Sequence, residues 1–360
     1  STESTSTALA MVRKEASTPL NELLCTEDFE EAAKNCLPEA SWDYISGGEA
    51  DTIQRNRSVF DPWLFRPRIL RDVSNIDLSC ELFGASCETP IYLSSLAKGK
   101  LVDPQGEATF MRAAERLKSR FLVPTISSVP LEEVWKATKR PPAFQVYILS
   151  DGSSRGPLDL ALRLGVGGVV ITVDANAPRH GALHRATAQS TGVFPSHSFN
   201  WEELKELRKT FPADVPVYLK GIQSAEDALQ AVAVGVRGIV VSNHGGRACG
   251  NAIGALEALE EVAEALRSAG LLGPESPFEL YYDSGVRNGR DVVKALCLGA
   301  WGVGIGRPYY WAAACHGEEG IIRLVEQLNA ELRLTMAQLG VAQVKDLTTR
   351  CLARDRSSKL

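Results

Sequence analysis

The chain has 360 residues, 44% of them hydrophobic, which suits one large core better than two equal domains. A net charge of −5 at pH 7 argues against a chain built to grip phosphate backbones, so no nucleic acid partner is expected. No stretch approaches the roughly 20 apolar residues of a membrane span and the N-terminus shows no apolar leader, so a soluble protein with no membrane partner is expected.

Residues Ser1 to Pro19 are rich in Ser and Thr without apolar periodicity and read as a disordered lead-in, residues 1–20. Thr26 stands where an N-cap belongs, a helix follows from Glu27 to Cys36, and Pro38 ends it. A second short helix runs through Trp42 and Tyr44 to Gly47-Gly48. Beyond Pro90, β-branched runs alternate with amphipathic segments, the pattern of a parallel sheet built from βα units. Eight runs read as strands: PIYLSS from Pro90, FLVPTI from Phe121, AFQVYI from Ala143, GVVITVD from Gly168, VPVYLKG from Val215, GIVVSNH from Gly238, LYYDSGV from Leu280 and GVGIGRP from Gly302. Ala225 to Val234, Ala255 to Ser268 and Gly289 to Leu298 carry apolar residues at helical spacing between them. Eight strands close a barrel, so the fold class is α/β, a (β/α)8 TIM barrel with an N-terminal helical extension, over residues 21–355. The tail, residues 356–360, ends in Ser358-Lys359-Leu360, the tripeptide read by the peroxisomal import receptor at a free C-terminus; a peroxisomal protein is expected. The eight cysteines are scattered, with no metal-ligand spacing; they read as reduced thiols, and no metal is expected.

Chemistry in such barrels collects at the C-terminal strand ends. Gln145 and Tyr147, Thr172 and Asp174, Lys220, Ser242 and His244, Asp283, and Gly306 with Arg307 all fall there, converging on one mouth. In the segment SNHGGR, His244 can take a proton near neutral pH, Gly245 and Gly246 let a ligand approach the backbone, and Arg247 can pair with a carboxylate.

From about Trp42 to Leu347 the chain resembles the FMN-dependent α-hydroxy acid oxidase and dehydrogenase family, which includes glycolate oxidase, as a divergent member. The resemblance rests on SNHGGR, DSGVRNGRDVVKALCLGA from Asp283, GVGIGRP from Gly302, LFRPRIL from Leu64, FQVY from Phe144 and ITVD from Ile171. It implies bound FMN and a catalytic set of His244 as base, Asp174 orienting it, Tyr147 beside it and Lys220 facing the flavin. It further implies Gln145, Thr172, Ser242, Asp283, Gly285, Arg287, Gly306 and Arg307 as cofactor-binding residues, and Tyr44, Tyr147, His244 and Arg247 around the substrate. The activity implied is oxidation of a 2-hydroxy acid or related hydroxylated compound to the oxo product by a homo-oligomer, with O2 as acceptor yielding hydrogen peroxide. Two alternatives are oxidation or oxidative decarboxylation of a larger substrate, and a flavin-binding protein without catalysis.

Several positions depart from the family pattern. A second arginine belongs in the loop after strand four, but here that loop reads ANAPRHGALHRATAQ, with Leu183 at the aligned position and Arg179 and Arg185 out of register. Ser95-Leu96-Ala97 replaces P-T-A, Pro124 replaces a serine, Ser284 replaces a glycine, Ala248-Cys249-Gly250 replaces Q-L-D, and the stretch between Arg185 and Trp201 is shortened. A rewritten substrate wall around a retained flavin site is expected.

Overall fold

The computed structural model describes residues 18–175, 196–273 and 276–355. Eight parallel strands form the centre: β1 (Ile91–Leu93), β2 (Leu122–Pro124), β3 (Ala143–Tyr147), β4 (Gly168–Thr172), β5 (Val217–Ile222), β6 (Gly238–Val241), β7 (Glu279–Asp283) and β8 (Gly302–Ile305). Each pairs with the next in sequence, and β8 returns to β1 with Gly304 opposite Tyr92. The last seam, between β1 and β2, is closed by the bridge of Leu93 with Phe121, Leu93 N–H donating to the Arg120 carbonyl at 2.8 Å. The eight strands read from the sequence are the eight of the barrel, and the helices Ala225–Val234, Ala255–Ser268 and Gly289–Leu298 have the expected bounds.

Apolar residues, many of them β-branched or aromatic, fill the strands because both faces are covered, one by helices and one by the lumen. A second core of buried residues takes one side chain from most strands, including Tyr92, Leu122, Val170, Tyr218, Val240 and Tyr281. A hairpin of Cys80–Leu82 and Ala85–Cys87, which the sequence did not announce, joins this core. Its turn residues Phe83 and Gly84 both have positive φ (49° and 72°), and Phe83 stacks on Tyr281 with ring centroids 4.0 Å apart. That aromatic plug fills the N-terminal end of the lumen, leaving the opposite end for chemistry.

The N-terminal extension covers that opposite end. It comprises α1 (Thr26–Cys36), α2 (Glu39–Ser46) and α3 (Ala50–Ser58). Asn56 on α3 and Asn243 after β6 exchange side-chain amide bonds of 2.8 and 2.7 Å, and Glu49 N–H donates to the Gly246 carbonyl at 2.8 Å. Thr26 is not the N-cap of α1: the helix starts at Thr26 with Cys25 before it, and the Asp28 carboxylate accepts the Cys25 N–H at 2.9 Å. The Thr26 side chain is buried and its hydroxyl instead donates to the Arg287 carbonyl, which ties α1 to the turn after β7. Thr18 and Pro19, read from sequence as lead-in, are held in place, since His316 Nε2 donates to the Thr18 carbonyl at 3.0 Å.

Among the described residues, no helix is long and apolar enough to cross a membrane. All eight cysteines are free thiols. Residues 1–17, the tail 356–360 with Ser358-Lys359-Leu360, and the loop positions Arg179, Leu183 and Arg185 lie outside the described residues.

Candidate active site

His244 follows β6 in the left-handed backbone region (φ 59°), and Gly245 and Gly246 continue the same sense (66° and 81°). The tight turn lifts the imidazole over the end of the strand. Its Nδ1 lies 2.9 Å from Asp174 Oδ1, and its Nε2 lies 3.4 Å from the Tyr147 hydroxyl. A carboxylate at Nδ1 holds the proton there, which leaves Nε2 as the acceptor. Asp174 can sit so close because of a glycine: at Gly221 the backbone has φ +107°, and a Cβ there would stand 2.5 Å from the Asp174 side chain. This is the point where the β5–β6 register shifts, between Lys220 and Ile222.

Below the imidazole lies a buried polar network. Lys220 Nζ donates to Ser242 Oγ at 2.8 Å and pairs with Asp283 Oδ2 at 3.1 Å. Ser242 Oγ donates to Asp283 Oδ1 at 2.5 Å, Ser94 Oγ donates to Asp283 Oδ2 at 2.9 Å, and Ser242 Oγ also accepts the His244 N–H at 3.1 Å. Lys220, Ser242 and Asp283 thus act as one unit at the ends of three adjacent strands. Gln145 Nε2 donates to Thr172 Oγ1 at 2.9 Å beside them. Ser284, the serine in a glycine position, has φ 103°; its hydroxyl accepts the Gly245 N–H at 3.0 Å and donates to Asp283 at 3.2 Å, so it links the base-bearing turn to β7.

A third group is cationic. Arg287 is buried, its Nη1 bonded only to the Val286 carbonyl at 2.8 Å and its Nε orphaned among the described residues. Arg307 opens the helical segment Arg307–Leu339, which is broken by a kink at His316-Gly317, just behind Gly306, and it donates to the Gly245 carbonyl. Burial, then the charges of Arg287 and Arg247, bring the Arg307 guanidinium down to about 9. Two guanidinium groups near a helix N-terminus, with no carboxylate in ion-pair reach among the described residues, form a donor-only set. A phosphate dianion satisfies the orphaned Nε and both charges, so these residues fit a phosphorylated flavin. Gly285, two residues before Arg287, lets this turn pack against α3: its φ is +83°, and a Cβ would stand 2.0 Å from the Asn56 carbonyl oxygen.

At the rim, Arg247 Nη2 donates to the carbonyls of Tyr44 and Ile45, both at 2.5 Å, in the last turn of α2. The Arg247 guanidinium also lies 5.4 Å from the centroid of the Tyr44 ring. A residue the sequence reading passed over joins them: Lys98 Nζ lies 4.7 Å from the same ring. The structure therefore brings His244, Asp174 and Tyr147 together, gathers Lys220 with Ser242 and Asp283, and sets Arg287 with Arg307 and Tyr44 with Arg247. The only local sign of Lys98 was its place just past β1, directly after the altered stretch Ser95-Leu96-Ala97.

A profile of the family described as FMN-dependent dehydrogenase matches residues 33–193 and 177–354. The chain is 31% identical to the L-lactate dehydrogenase (cytochrome) of Wickerhamomyces anomalus, over 94% of its own length but only 63% of that enzyme's. It is 32% identical to the Peroxisomal (S)-2-hydroxyacid oxidase GLO3 of Arabidopsis thaliana, covering 91% of this chain and 96% of the relative. Among solved structures, a flavocytochrome b2 variant superposes with a TM-score of 0.88 at 32% identity, covering 96% of this chain and 92% of the other. The chain thus spans under two thirds of the yeast lactate dehydrogenase and nearly all of the plant oxidase.

Proposed function

The chain belongs to the FMN-dependent dehydrogenase family, and from that premise we propose that it oxidises a 2-hydroxy acid to the 2-oxo acid at the mouth built around His244. The observation that carries this reading is the array Asp174–His244–Tyr147 standing over the buried Lys220–Ser242–Asp283 unit. When bound, FMN supplies the acceptor for the two electrons that leave the substrate. Its phosphate is assigned to Arg287, Arg307, Gly285 and the helix N-terminus at Gly306, and its ring to Lys220, Gln145, Thr172 and Ser242. Lys220, held by Asp283, keeps a fixed positive charge beside the place where electron density grows, the arrangement that stabilises a developing anion. His244 Nε2 takes one substrate proton, Asp174 stabilises the imidazolium that results, and the Tyr147 hydroxyl positions the reacting carbon bearing the hydroxyl. Tyr44 and Arg247 receive the substrate carboxylate.

Oxygen as the acceptor, yielding hydrogen peroxide, and residence in peroxisomes are part of the same proposal, supported by relatives named as peroxisomal 2-hydroxyacid oxidases. Assembly as a homo-oligomer is proposed with it. The test is anaerobic mixing of the FMN-loaded protein with glycolate, lactate and mandelate while the flavin absorbance is followed. Bleaching by at least one of them, abolished in His244→Ala with the flavin still bound, is the expected result. Bleaching only by larger alcohols overturns the substrate class, and no bleaching by any of these compounds favours flavin binding without catalysis.

A further inference from the structure

We propose that Lys98 is a second cation of the substrate carboxylate site, acting together with Arg247 at the Tyr44 ring. The inference rests on the hydroxy acid reading above and adds to it the residue that binds the acid group.

Three observations carry it. First, the side chain points into the rim of the mouth: Lys98 Nζ stands 4.7 Å from the centroid of the Tyr44 ring and the Arg247 guanidinium 5.4 Å from the same centroid. Two cations meet at one aromatic ring, and the hydroxyl of that ring is a further donor.

Second, the backbone is held, which fixes the direction in which the side chain leaves it. Lys98 occupies the left-handed region (φ 66°, ψ 48°), which a side chain with a Cβ adopts only where its surroundings impose it. Its N–H donates to the Ile126 carbonyl at 3.3 Å, Gly99 N–H donates to Glu107 Oε1 at 2.8 Å, and Lys100 N–H donates to Ser128 Oγ at 2.8 Å. Glu107 is fully buried and also accepts the Ser128 N–H at 2.9 Å, so one carboxylate clamps the loops after β1 and β2 together. On the helical segment that Arg307 opens, Tyr310 donates its hydroxyl to the carbonyls of Leu96 and Ala97 at 2.9 and 3.1 Å, which fixes the residues leading into Lys98.

Third, the ammonium has no anion of its own. Among the described residues no carboxylate lies within ion-pair distance of it, and burial alone holds it below the usual lysine range. The stretch 176–195 contains no Asp or Glu either. A partly buried cation gathered with a second one at the same ring favours an anion at that edge of the mouth. A carboxylate satisfies both, with Arg247 offering directional N–H donors and Lys98 a point charge. A lysine in this role strengthens binding more than it orients the reacting carbon, so its removal is read mainly in KM.

The experiment uses the FMN-loaded full chain and the variants Lys98→Met and Lys98→Arg. Equilibrium binding of oxalate, an unreactive dicarboxylate, is followed by the perturbation of the flavin absorbance, alongside KM and kcat for whichever 2-hydroxy acid the wild type oxidises. Lys98→Met is expected to weaken oxalate binding and raise KM by 10- to 100-fold with kcat within about fivefold and the flavin content unchanged; Lys98→Arg is expected to restore most of the loss. Oxalate binding and KM unchanged in Lys98→Met overturn the proposal, as does a wild type that binds no oxalate. If the wild type binds oxalate, Lys98→Met loses it, and no 2-hydroxy acid is oxidised, the anion site stands and the substrate reading above is the part that fails.

Discussion

The 2.9 Å separation of His244 Nδ1 from Asp174 Oδ1 decides which ring nitrogen carries the proton, and therefore whether Nε2 can act as a base. Asp174→Asn offers Nδ1 a group that can donate as well as accept, which favours the opposite tautomer and removes the charge that stabilises the imidazolium. Flavin reduction by substrate is expected to slow by about 10²- to 10⁴-fold while FMN stays bound, measured by stopped-flow absorbance. A reduction rate within threefold of wild type would show that Asp174 does not act through the histidine. At this scale the sequence was legible where chemistry needs an unusual residue at a strand end: a histidine followed by two glycines, a lysine closing a buried strand, an aspartate two residues past another. It was opaque where side chains meet across loops. Lys98 resembles any solvated lysine until its left-handed backbone and the Tyr44 ring are seen together. Arg247 was read only as a carboxylate partner, although it also closes the C-terminal turn of α2 through two carbonyls, which no local pattern announces.

At the scale of elements, barrel strands were legible because each is a short run rich in β-branched, aromatic or aliphatic residues bounded by turn residues, and helices because their apolar spacing repeats. The short pieces were not: α3 carries little apolar periodicity, and the pairing of Trp63–Phe65 with Leu352–Arg354 joins segments nearly the whole chain apart. The helix Gly289–Leu298 shows two rules in conflict. Asn288 caps it, accepting the Asp291 N–H at 3.0 Å, and an acidic residue in a first turn is normally favourable. Asp291 is nevertheless buried, and burial outweighs the N–H of Arg287 and the charge of Lys294, lifting its carboxyl to about 6. With the folded value above the ordinary one of 3.8, the folded state holds the proton more tightly, so this group's contribution is fully present below pH 3.8 and is lost as pH rises through about 6. Asp291→Asn keeps an acceptor for the Arg287 N–H and cannot ionise. The variant is expected to gain on wild type by up to about 3 kcal/mol at pH 7.5 and by little at pH 4, measured by urea unfolding at both pH values. A gap that does not change with pH would assign the effect to packing instead of ionisation.

For the whole molecule, the aromatic plug around Phe83 closes one end of the barrel and the helices α1 to α3 with the strand-end loops build the other, so the polar and charged side chains gather on one side of a dry lumen. That arrangement places Arg287 and Arg307 where burial opposes their charge. Without an anion they weaken the fold; on the proposed assignment, the phosphate of FMN between them turns that cost into a contribution. FMN at a hundredfold excess over its Kd is expected to stabilise the protein by about 2.7 kcal/mol, raising Tm by several degrees. Arg307→Met then separates the two states. In the FMN-free protein it removes a costly buried charge, and Tm is expected to hold or rise even though the Gly245 carbonyl loses a donor. In the FMN-loaded protein it removes a charge-assisted bond to the phosphate, and both Tm and flavin affinity fall, the affinity by about 30-fold or more. Calorimetry of the variant with and without FMN reads both signs in one experiment. An equal loss of Tm in both states would make Arg307 a packing residue at the start of its helix, and the phosphate would have to be held by other groups.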